Sequence, residues 1–244
     1  MEVSDAAGGT TSVVSAEPLT ARRLDRTNWV AAVAFTIGGS LFSLGALFAQ
    51  LGVGASHSID LTYLVGGFFF STGGYASVLQ ASNAPRTVDD AGALSADRWR
   101  WWDNRLHNLG WVSAAVLFVG TLLFAVSLVA AFAEGLTVRQ ENTWIWVPDM
   151  LGCVCFLVSG HLAWFEVCHG RMGIRVHELG WWIVFVNQVG SWLFFLAGLA
   201  AYVRPADAES LNSGLANWGT FWGAACFVVG GVLQAFERPS RESP

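Results

Sequence analysis

The sequence predicts an all-α integral membrane protein whose six transmembrane helices form three hairpins, with both termini in the cytoplasm. Three observations lead to this prediction: an apolar composition, six separate apolar stretches, and a pattern that recurs three times. The chain has 244 residues, of which 54% are hydrophobic and 13% are charged, and its mean hydropathy is +0.48. Because soluble domains carry about 25% charged residues, a bilayer is the expected solvent for this chain.

Each of the six apolar stretches is close to the ~20 residues that a helix needs to cross the hydrocarbon core. None shows the two-residue alternation of a membrane β-barrel, so each is predicted to be a helix that satisfies its own backbone groups. The predicted spans are Trp29–Leu51, Leu61–Ala81, Trp111–Ala133, Val147–Cys168, Trp181–Val203 and Trp218–Phe236.

The segments around these spans define the domain organisation. Residues 1–21 have neither a basic start nor a compact apolar core, so we predict a disordered cytosolic tail rather than a signal peptide. The three hairpins are expected at residues 22–86, 98–169 and 171–239, and residues 240–244 form a short C-terminal tail.

The distribution of arginine predicts the orientation. The chain has 13 basic residues, and all of them are arginine. Only Arg139 and Arg204 lie on one side of the predicted spans, and the other arginines lie on the opposite side with both termini. Since cytoplasmic loops are enriched in basic residues, both termini are predicted to be cytoplasmic.

The odd-numbered spans share one pattern. Each contains a tryptophan that lies six residues after an arginine, nine before a glycine and thirteen before a phenylalanine. Chance agreement across three copies is improbable, so this pattern indicates an internal repeat. The matching sets are Arg23, Trp29, Gly38 and Phe42; Arg105, Trp111, Gly120 and Phe124; and Arg175, Trp181, Gly190 and Phe194.

The even-numbered spans share a second pattern, in which a glycine is followed at +4 by phenylalanine, at +8 by glycine and at +14 by Gln or Glu. Repeats in the same orientation are related by an axis along the membrane normal, and spaced glycines let membrane helices approach closely. A bundle with approximate threefold symmetry is therefore expected. The sets are Gly66, Phe70, Gly74 and Gln80; Gly152, Phe156, Gly160 and Glu166; and Gly223, Phe227, Gly231 and Glu237.

These motifs resemble those of the YrhK-like family of small bacterial membrane proteins. In that family a two-helix unit has a basic lead-in, a first helix with F-x-x-G-S-x-x-F, and a second helix with F-x-x-G-S that ends near Arg-Pro. The segments Phe35–Phe42, Leu117–Phe124 and Asn187–Phe194 resemble the first element, although Asn187 and Thr121 depart from it. The resemblance implies hairpin units in a bacterial cytoplasmic membrane, and it implies no known activity.

Polar side chains within the spans are the candidate functional residues, because such groups are costly in a bilayer. His161 takes the repeat position of Tyr75 and Val232, and Asn187 and Gln188 likewise interrupt the pattern. His161 and Asn187 are expected at similar depths, where a contact would be either a hydrogen bond between helices or a proton or ligand site. The candidate intramembrane site comprises Tyr75, His161, Asn187 and Gln188.

A second set of side chains falls at the cytosolic ends of the spans. The arginines are expected to reach the lipid headgroups and are candidates to pair with Glu166 and Glu237. This arrangement would be an interfacial clamp between hairpins or, alternatively, a ring that binds an anion or gates a pore. The predicted interfacial anchors are Arg23, Arg105, Arg175, Gln80, Glu166, Glu237, Trp29, Trp111 and Trp181.

No catalytic constellation is recognised, since the sequence has no nucleophile elbow, P-loop or dinucleotide turn. Glu166 and His169 have the i, i+3 spacing of di-iron bundles, but the second such pair that these bundles need is lacking. His161 is a candidate haem ligand, but no second histidine faces it within the membrane. No metal or cofactor is therefore predicted. Asp149, at the predicted start of the fourth helix, is explained by the positive end of the helix dipole. The acidic balance argues against nucleic-acid binding.

Three functional hypotheses follow from these residues. The leading one is a non-enzymatic membrane protein that binds or passes a small solute or ion between the hairpins. The second is a structural or scaffolding module that recruits partners through its helices. The third and weakest is an intramembrane metal or haem redox enzyme. The lipid bilayer is an expected partner in every case, and a small solute or ion is a further partner under the leading hypothesis.

Overall fold

The computed structural model describes residues 18–84, 99–170 and 173–237, and these residues are mainly helical. Within them no strand forms, and the one extended pairing is an isolated bridge between Val203 and Ser210. The long helices of this part of the chain are α1 Pro18–Leu51, α2 Ser56–Asn83, α3 Leu109–Ala130, α4 Val138–Val167, α5 Leu179–Ala200 and α6 Ser213–Phe236.

Among the described residues, five of these helices are long and apolar enough to cross a membrane: α1, α3, α4, α5 and α6. Helix α2 covers the whole of the predicted second span and has 28 residues, yet it does not reach the same apolar level. Its glycine, serine and threonine residues lower its mean hydropathy. The membrane character of the protein therefore follows from the other five helices.

Helix α1 is longer than predicted at its N-terminus. It begins at Pro18, and proline is favoured in the first turn because its missing N–H would have no helical partner there. Residues 18–21 are thus helical rather than part of a disordered tail, which corrects the prediction. Residues 1–17 and the predicted tail 240–244 lie outside the described residues.

Helix α4 also starts earlier than predicted. A capping box between Thr137 and Gln140 begins it at Val138, because the two side chains satisfy each other's backbone N–H groups. The segment Asn142–Trp146 is a π-helix, and Pro148 lies two residues after it, where the missing N–H of proline disturbs regular α-helical bonding. The α-helix then continues from Val147 to Val167.

The six helices form a closed ring, because consecutive helices pack together and α6 packs against α1. In each of the pairs α1–α2, α3–α4 and α5–α6, two glycines meet so closely that a Cβ atom added to one of them would lie 2.8–3.2 Å from the carbonyl oxygen of the other. Close backbone approach at small residues is the usual basis of helix packing in membranes. The pairs are Gly38–Gly66, Gly120–Gly152 and Gly190–Gly223.

Six buried phenylalanines fill the centre of the ring. Their rings contact one another edge-on, tilted or stacked, with centroid distances from 5.0 Å between Phe124 and Phe156 to 6.5 Å between Phe156 and Phe194. Such pairs stabilise a core beyond the effect of burial, by about 0.5–1.5 kcal/mol each. We call this cluster the phenylalanine plug; it consists of Phe42, Phe124 and Phe194 from the odd helices and Phe70, Phe156 and Phe227 from the even helices.

The plug lies between two cavities. The proximal cavity, of about 230 Å³, lies toward the face where α1 enters the bundle and α6 ends, and Phe156 and Phe227 form part of its wall. The distal cavity, of about 260 Å³, lies toward the opposite face and has Phe42, Phe124 and Phe194 in its wall. Five of the six plug side chains thus face one cavity or the other, the two just named the proximal cavity and the three from the odd helices the distal cavity.

Candidate functional site

The proximal cavity lies among apolar helices and has several polar side chains in its largely apolar wall. Asn187 is placed on it by α5, at the level where α1 contributes Phe35 and α3 contributes Leu117. The Asn187 amide lies against Gly230, and its Oδ1 atom is buried and accepts no hydrogen bond from the described residues. An unsatisfied buried acceptor costs about 1–3 kcal/mol, so this atom is suited to a ligand or a water molecule. The remaining polar residues of the wall are Ser77, Ser113, Ser159, Ser191, Gln234 and Glu237.

Two of these serines join α3 to α4. The Ser113 hydroxyl donates to the Ser159 carbonyl oxygen at 2.9 Å, and the Ser159 hydroxyl donates to the Ser113 carbonyl oxygen at the same distance. The two hydroxyl oxygens are 3.1 Å apart. Since both hydroxyls are satisfied by this reciprocal contact, the pair holds one wall of the cavity in place.

The structure pairs His161 with Gln188 rather than with Asn187. The Gln188 side-chain amide lies 3.1 Å from His161 Nδ1, which is 2.7 Å from the carbonyl oxygen of Leu157. Nδ1 can make only one of these hydrogen bonds at a time: it donates to the Leu157 carbonyl oxygen when it carries the proton, and it accepts from the Gln188 amide when it does not. The His161 side chain is exposed on the outside of the bundle, while Asn187 points toward α6. The expected His161–Asn187 contact is therefore not formed.

Tyr75 lies apart from these residues. Its hydroxyl donates to the carbonyl oxygen of Trp101 at 3.1 Å, and its ring packs against Phe118 at a centroid distance of 5.6 Å. Tyr75 thus joins α2 to the segment that precedes α3. Of the four candidate residues, only Asn187 lines either of the two cavities described above.

The two predicted glutamate anchors lie at the C-terminal ends of their own helices and contact the first turns of neighbouring helices. The Glu166 carboxylate lies against Gly110 in the first turn of α3, and Glu237 Oε1 lies 3.2 Å from the position of a Cβ atom on Gly180 in the first turn of α5. Carboxylates are stabilised there by the positive end of the helix dipole. Both contacts are within a predicted hairpin, at the proximal face.

In the first predicted hairpin, the two corresponding positions are occupied by amide side chains. Asn28 takes the place of the two glycines, and Gln80 takes the place of the two glutamates, with Gln80 Nε2 donating to Asn28 Oδ1 at 3.4 Å. Because α1 begins at Pro18, Asn28 lies inside a continuous helix and no positive helix end is present. A neutral partner at position 80 follows from this difference.

Asn28 is a structural residue that the sequence reasoning missed. It is 2% exposed, and its Nδ2 donates to the carbonyl oxygens of Gln234 at 2.9 Å and Glu237 at 3.1 Å. Its Oδ1 also accepts from Gln234 Nε2 at 3.1 Å. Asn28 therefore closes the ring between α1 and α6. The available signal was that Asn stands where the other two repeats have glycine.

Two of the three arginine anchors, Arg105 and Arg175, pair with acidic residues other than Glu166 and Glu237. Arg105 pairs with Asp103 at 2.8 Å, as does Arg100 at 2.9 Å, and Arg175 pairs with Glu178 at 2.7 Å. The hydrogen bond from Arg105, with a further one from Arg100, lowers the pKa of Asp103 from 3.8 to about 2. Neighbours in sequence thus neutralise these arginines.

The remaining anchors differ in exposure. Trp29 is 61% exposed, whereas Trp111 and Trp181 are buried. The Trp111 indole N–H donates to Ser82 Oγ at 3.1 Å, and the Trp181 indole N–H donates to the Gly173 carbonyl oxygen at 3.2 Å. Only Trp29 among the three has the exposure of a lipid-facing anchor. The Arg23 guanidinium lies 5.8 Å from the ring of Trp99.

The distal cavity contains the acidic residues that the sequence analysis did not assign to a site. Asp60 comes from the start of α2, Glu141 and Asp149 come from α4, and Tyr63 lies one turn after Asp60. The sequence signal was weak, because these residues are spread over ninety positions and share no motif. Only the ring brings their helices to one cavity.

Across the described residues, no group of three or more His, Cys, Asp or Glu side chains is close enough to hold a metal ion. The four cysteines are all free thiols. Comparison with protein-family models, with curated proteins and with solved structures found no match for this chain.

Proposed function

We propose that this chain is a non-enzymatic, multi-pass protein of the bacterial cytoplasmic membrane that binds, and in another conformation passes, a small polar solute at the centre of the helix ring. The observation that carries the proposal is the proximal cavity of about 230 Å³, with the unpartnered amide oxygen of Asn187 in its wall. Polar groups that converge in an otherwise apolar cavity are the usual mark of a ligand site.

The architecture in this proposal is three hairpins around an axis along the membrane normal, with all six helices spanning and both termini in the cytosol. Its support is the ring order and the three glycine pairs at matching repeat positions. Helix α2 packs between α1 and α3, and 28 residues extend about 42 Å, enough to cross the hydrocarbon core. The likeness of each hairpin to the YrhK-like unit belongs to the same proposal.

The wall chemistry favours a solute that donates hydrogen bonds. Asn187 Oδ1 accepts none from the described residues, whereas the hydroxyls of Ser113 and Ser159 are already engaged with each other. Ligand pockets for drug-sized molecules occupy roughly 300–1,000 Å³, so a cavity of about 230 Å³ suits a smaller molecule. A compound with an amine, amide or hydroxyl donor fits both conditions.

The phenylalanine plug determines what this conformation does. It fills the axis between the two cavities, so a solute in the proximal cavity is bound and not conducted. Apolar constrictions can gate a pathway in membrane proteins. Passage therefore requires the plug side chains to move, whereas binding does not.

The test is native mass spectrometry of the protein released from lipid nanodiscs, with Asn187→Leu as the informative variant. Leucine fits this level, because Leu117 occupies the matching position in α3. Val189→Leu is the control, since Val189 is exposed on the outside of the same helix. We expect a bound small molecule on the wild type and on the control, and its loss from Asn187→Leu. A wild type without any bound small molecule, or equal occupancy in all three proteins, would contradict the proposal.

A further inference from the structure

We propose that the distal cavity is a second binding site and that it takes a small organic ammonium cation. The inference does not rest on the proximal site, because the two cavities lie on opposite sides of the phenylalanine plug and share no wall residue. Four features of the distal cavity support it: an unpartnered carboxylate, an acidic wall, an aromatic floor, and acidic groups that are too far apart to hold a metal ion.

The charged groups in the wall of the distal cavity are all acidic. Asp60, Glu141 and Asp149 line it, and no arginine or histidine does. Arg204, on the same face, is engaged by Asp207 at 2.8 Å and by Glu209 at 3.6 Å. Charges in a cleft with low-dielectric walls focus their field into it, so this cavity attracts cations.

The contacts of Asp149 within the described residues do not explain why a carboxylate is placed at this position. Had α4 begun near Pro148, the helix dipole would have stabilised this side chain. The helix begins at Val138 instead, so Asp149 lies well inside a continuous helical segment. Among the described residues, its side chain has neither a hydrogen bond nor an ion pair, and it lines the cavity. An ionisable side chain inside a membrane bundle normally has a partner, and a bound cation supplies one for the Asp149 carboxylate.

The other walls suit the body of an organic cation. Phe42, Phe124 and Phe194 form the floor, and Tyr63 and Trp146 contribute further rings. Ammonium groups bind to aromatic faces through the ring quadrupole, and quaternary ammonium compounds are recognised in this way by aromatic cages. The π-helical segment Asn142–Trp146 helps to place these groups, because the Trp146 indole N–H donates to the Gly198 carbonyl oxygen at 2.8 Å.

The spacing of the acids separates an ammonium ion from a divalent metal ion. Calcium and magnesium need six or more oxygen ligands at 2.0–2.6 Å, as a general rule for such sites. In the described part of the chain, no three acidic, cysteine or histidine side chains are close enough to share one ion. Carboxylates that are spread over a cavity of about 260 Å³ instead suit a bulky organic cation, which can contact several of them at once.

The test measures binding of choline to the protein in nanodiscs by isothermal titration and by the shift of the thermal unfolding midpoint. The neutral isostere 3,3-dimethylbutanol has the same shape without the charge, and calcium chloride tests the metal alternative. Asp149→Asn removes the charge with little change of volume. Glu134→Gln is the matched control, because Glu134 is exposed on the same face and does not line the cavity.

We expect choline to bind the wild type and Glu134→Gln alike, dimethylbutanol not to bind, and Asp149→Asn to bind choline at least tenfold more weakly. Asp60→Asn serves as a second variant if Asp149→Asn unfolds, and it too should weaken binding. The inference is overturned if choline does not bind, if both variants bind it as the wild type does, or if calcium binds and competes with choline. Loss of the proximal solute in Asn187→Leu leaves these outcomes unchanged, so the two proposals fail separately.

Discussion

Replacing Asn28 with alanine should weaken the closure of the helix ring. The Asn28 side chain makes four hydrogen bonds: two to backbone carbonyl oxygens, at 2.9 and 3.1 Å, and two from glutamine amides, at 3.1 and 3.4 Å. Polar contacts between membrane helices contribute about 0.6 kcal/mol each on average. The variant should therefore lose about 2–3 kcal/mol of unfolding free energy, since the side chain is 2% exposed and little water can replace it.

The assay is reversible unfolding of the protein in mixed micelles, with the free energy of unfolding compared between variants. Ser40→Ala is the control, because the Ser40 hydroxyl is exposed and donates only to the Thr36 carbonyl oxygen of its own helix, at 2.8 Å. Its unfolding free energy should stay within about 0.5 kcal/mol of the wild type. If Asn28→Ala also stays within that limit, the hydrogen bonds of Asn28 do not hold α1 to α6 and the reasoning is refuted.

Three further predictions address packing, pH and orientation. Gly190→Ala should cost about 1–3 kcal/mol of unfolding free energy, because its Cβ would lie 2.8 Å from the Gly223 carbonyl oxygen, whereas Val189→Ala on the exposed side should cost less than about 0.5 kcal/mol. The pKa of Asp103 is lowered from 3.8 to about 2, so its ion pairs stabilise the surrounding segment fully above pH 3.8. This stabilisation is lost as the pH falls through about 2. Tryptophan fluorescence should show the transition in the wild type and not in Asp103→Asn. A cysteine at Glu134 should react with a membrane-impermeant maleimide added outside intact cells, and one at Asn104 only after permeabilisation; the reverse pattern would invert the topology.

The helices were predictable because membrane spans leave a strong local signal. The predicted spans overlap α1 to α6, and most of their boundaries differ by a few residues. The two large differences have local causes that the apolar pattern does not contain. The polar start of α1 at Pro18 and the capped start of α4 at Val138 extend the helices into segments with charged residues.

The candidate sites were less predictable because they depend on rotation and on contacts across the ring. Asn187 and Gln188 are neighbours in sequence, but a helix turns by about 100° per residue, so only Asn187 reaches the proximal cavity while Gln188 meets His161. The distal acids come from α2 and α4, which pack on opposite sides of α3. No periodicity within one helix could place these carboxylates in the same cavity.

The glutamate anchors differ from Gln80 for a reason that the structure makes visible. Gln80, Glu166 and Glu237 occupy one position of the pattern, and only the two glutamates contact the start of a neighbouring helix. The amide at Gln80 accompanies a helix that continues past that level. The length of α1, which was not expected, thus explains a substitution that the repeat itself left unexplained.

The most direct test of the account is which side of the membrane reaches each cavity. Single cysteines at Asn217, in the wall of the distal cavity, and at Ser77, in the wall of the proximal cavity, would be placed in a background that lacks the four native cysteines. Reaction with a small, charged thiol reagent would be timed in sealed, right-side-out and inverted vesicles. We predict that the cysteine at Asn217 reacts only from outside and the cysteine at Ser77 only from the cytosolic side. Reaction of either one from both sides, or of neither from any side, would contradict two cavities separated by the phenylalanine plug.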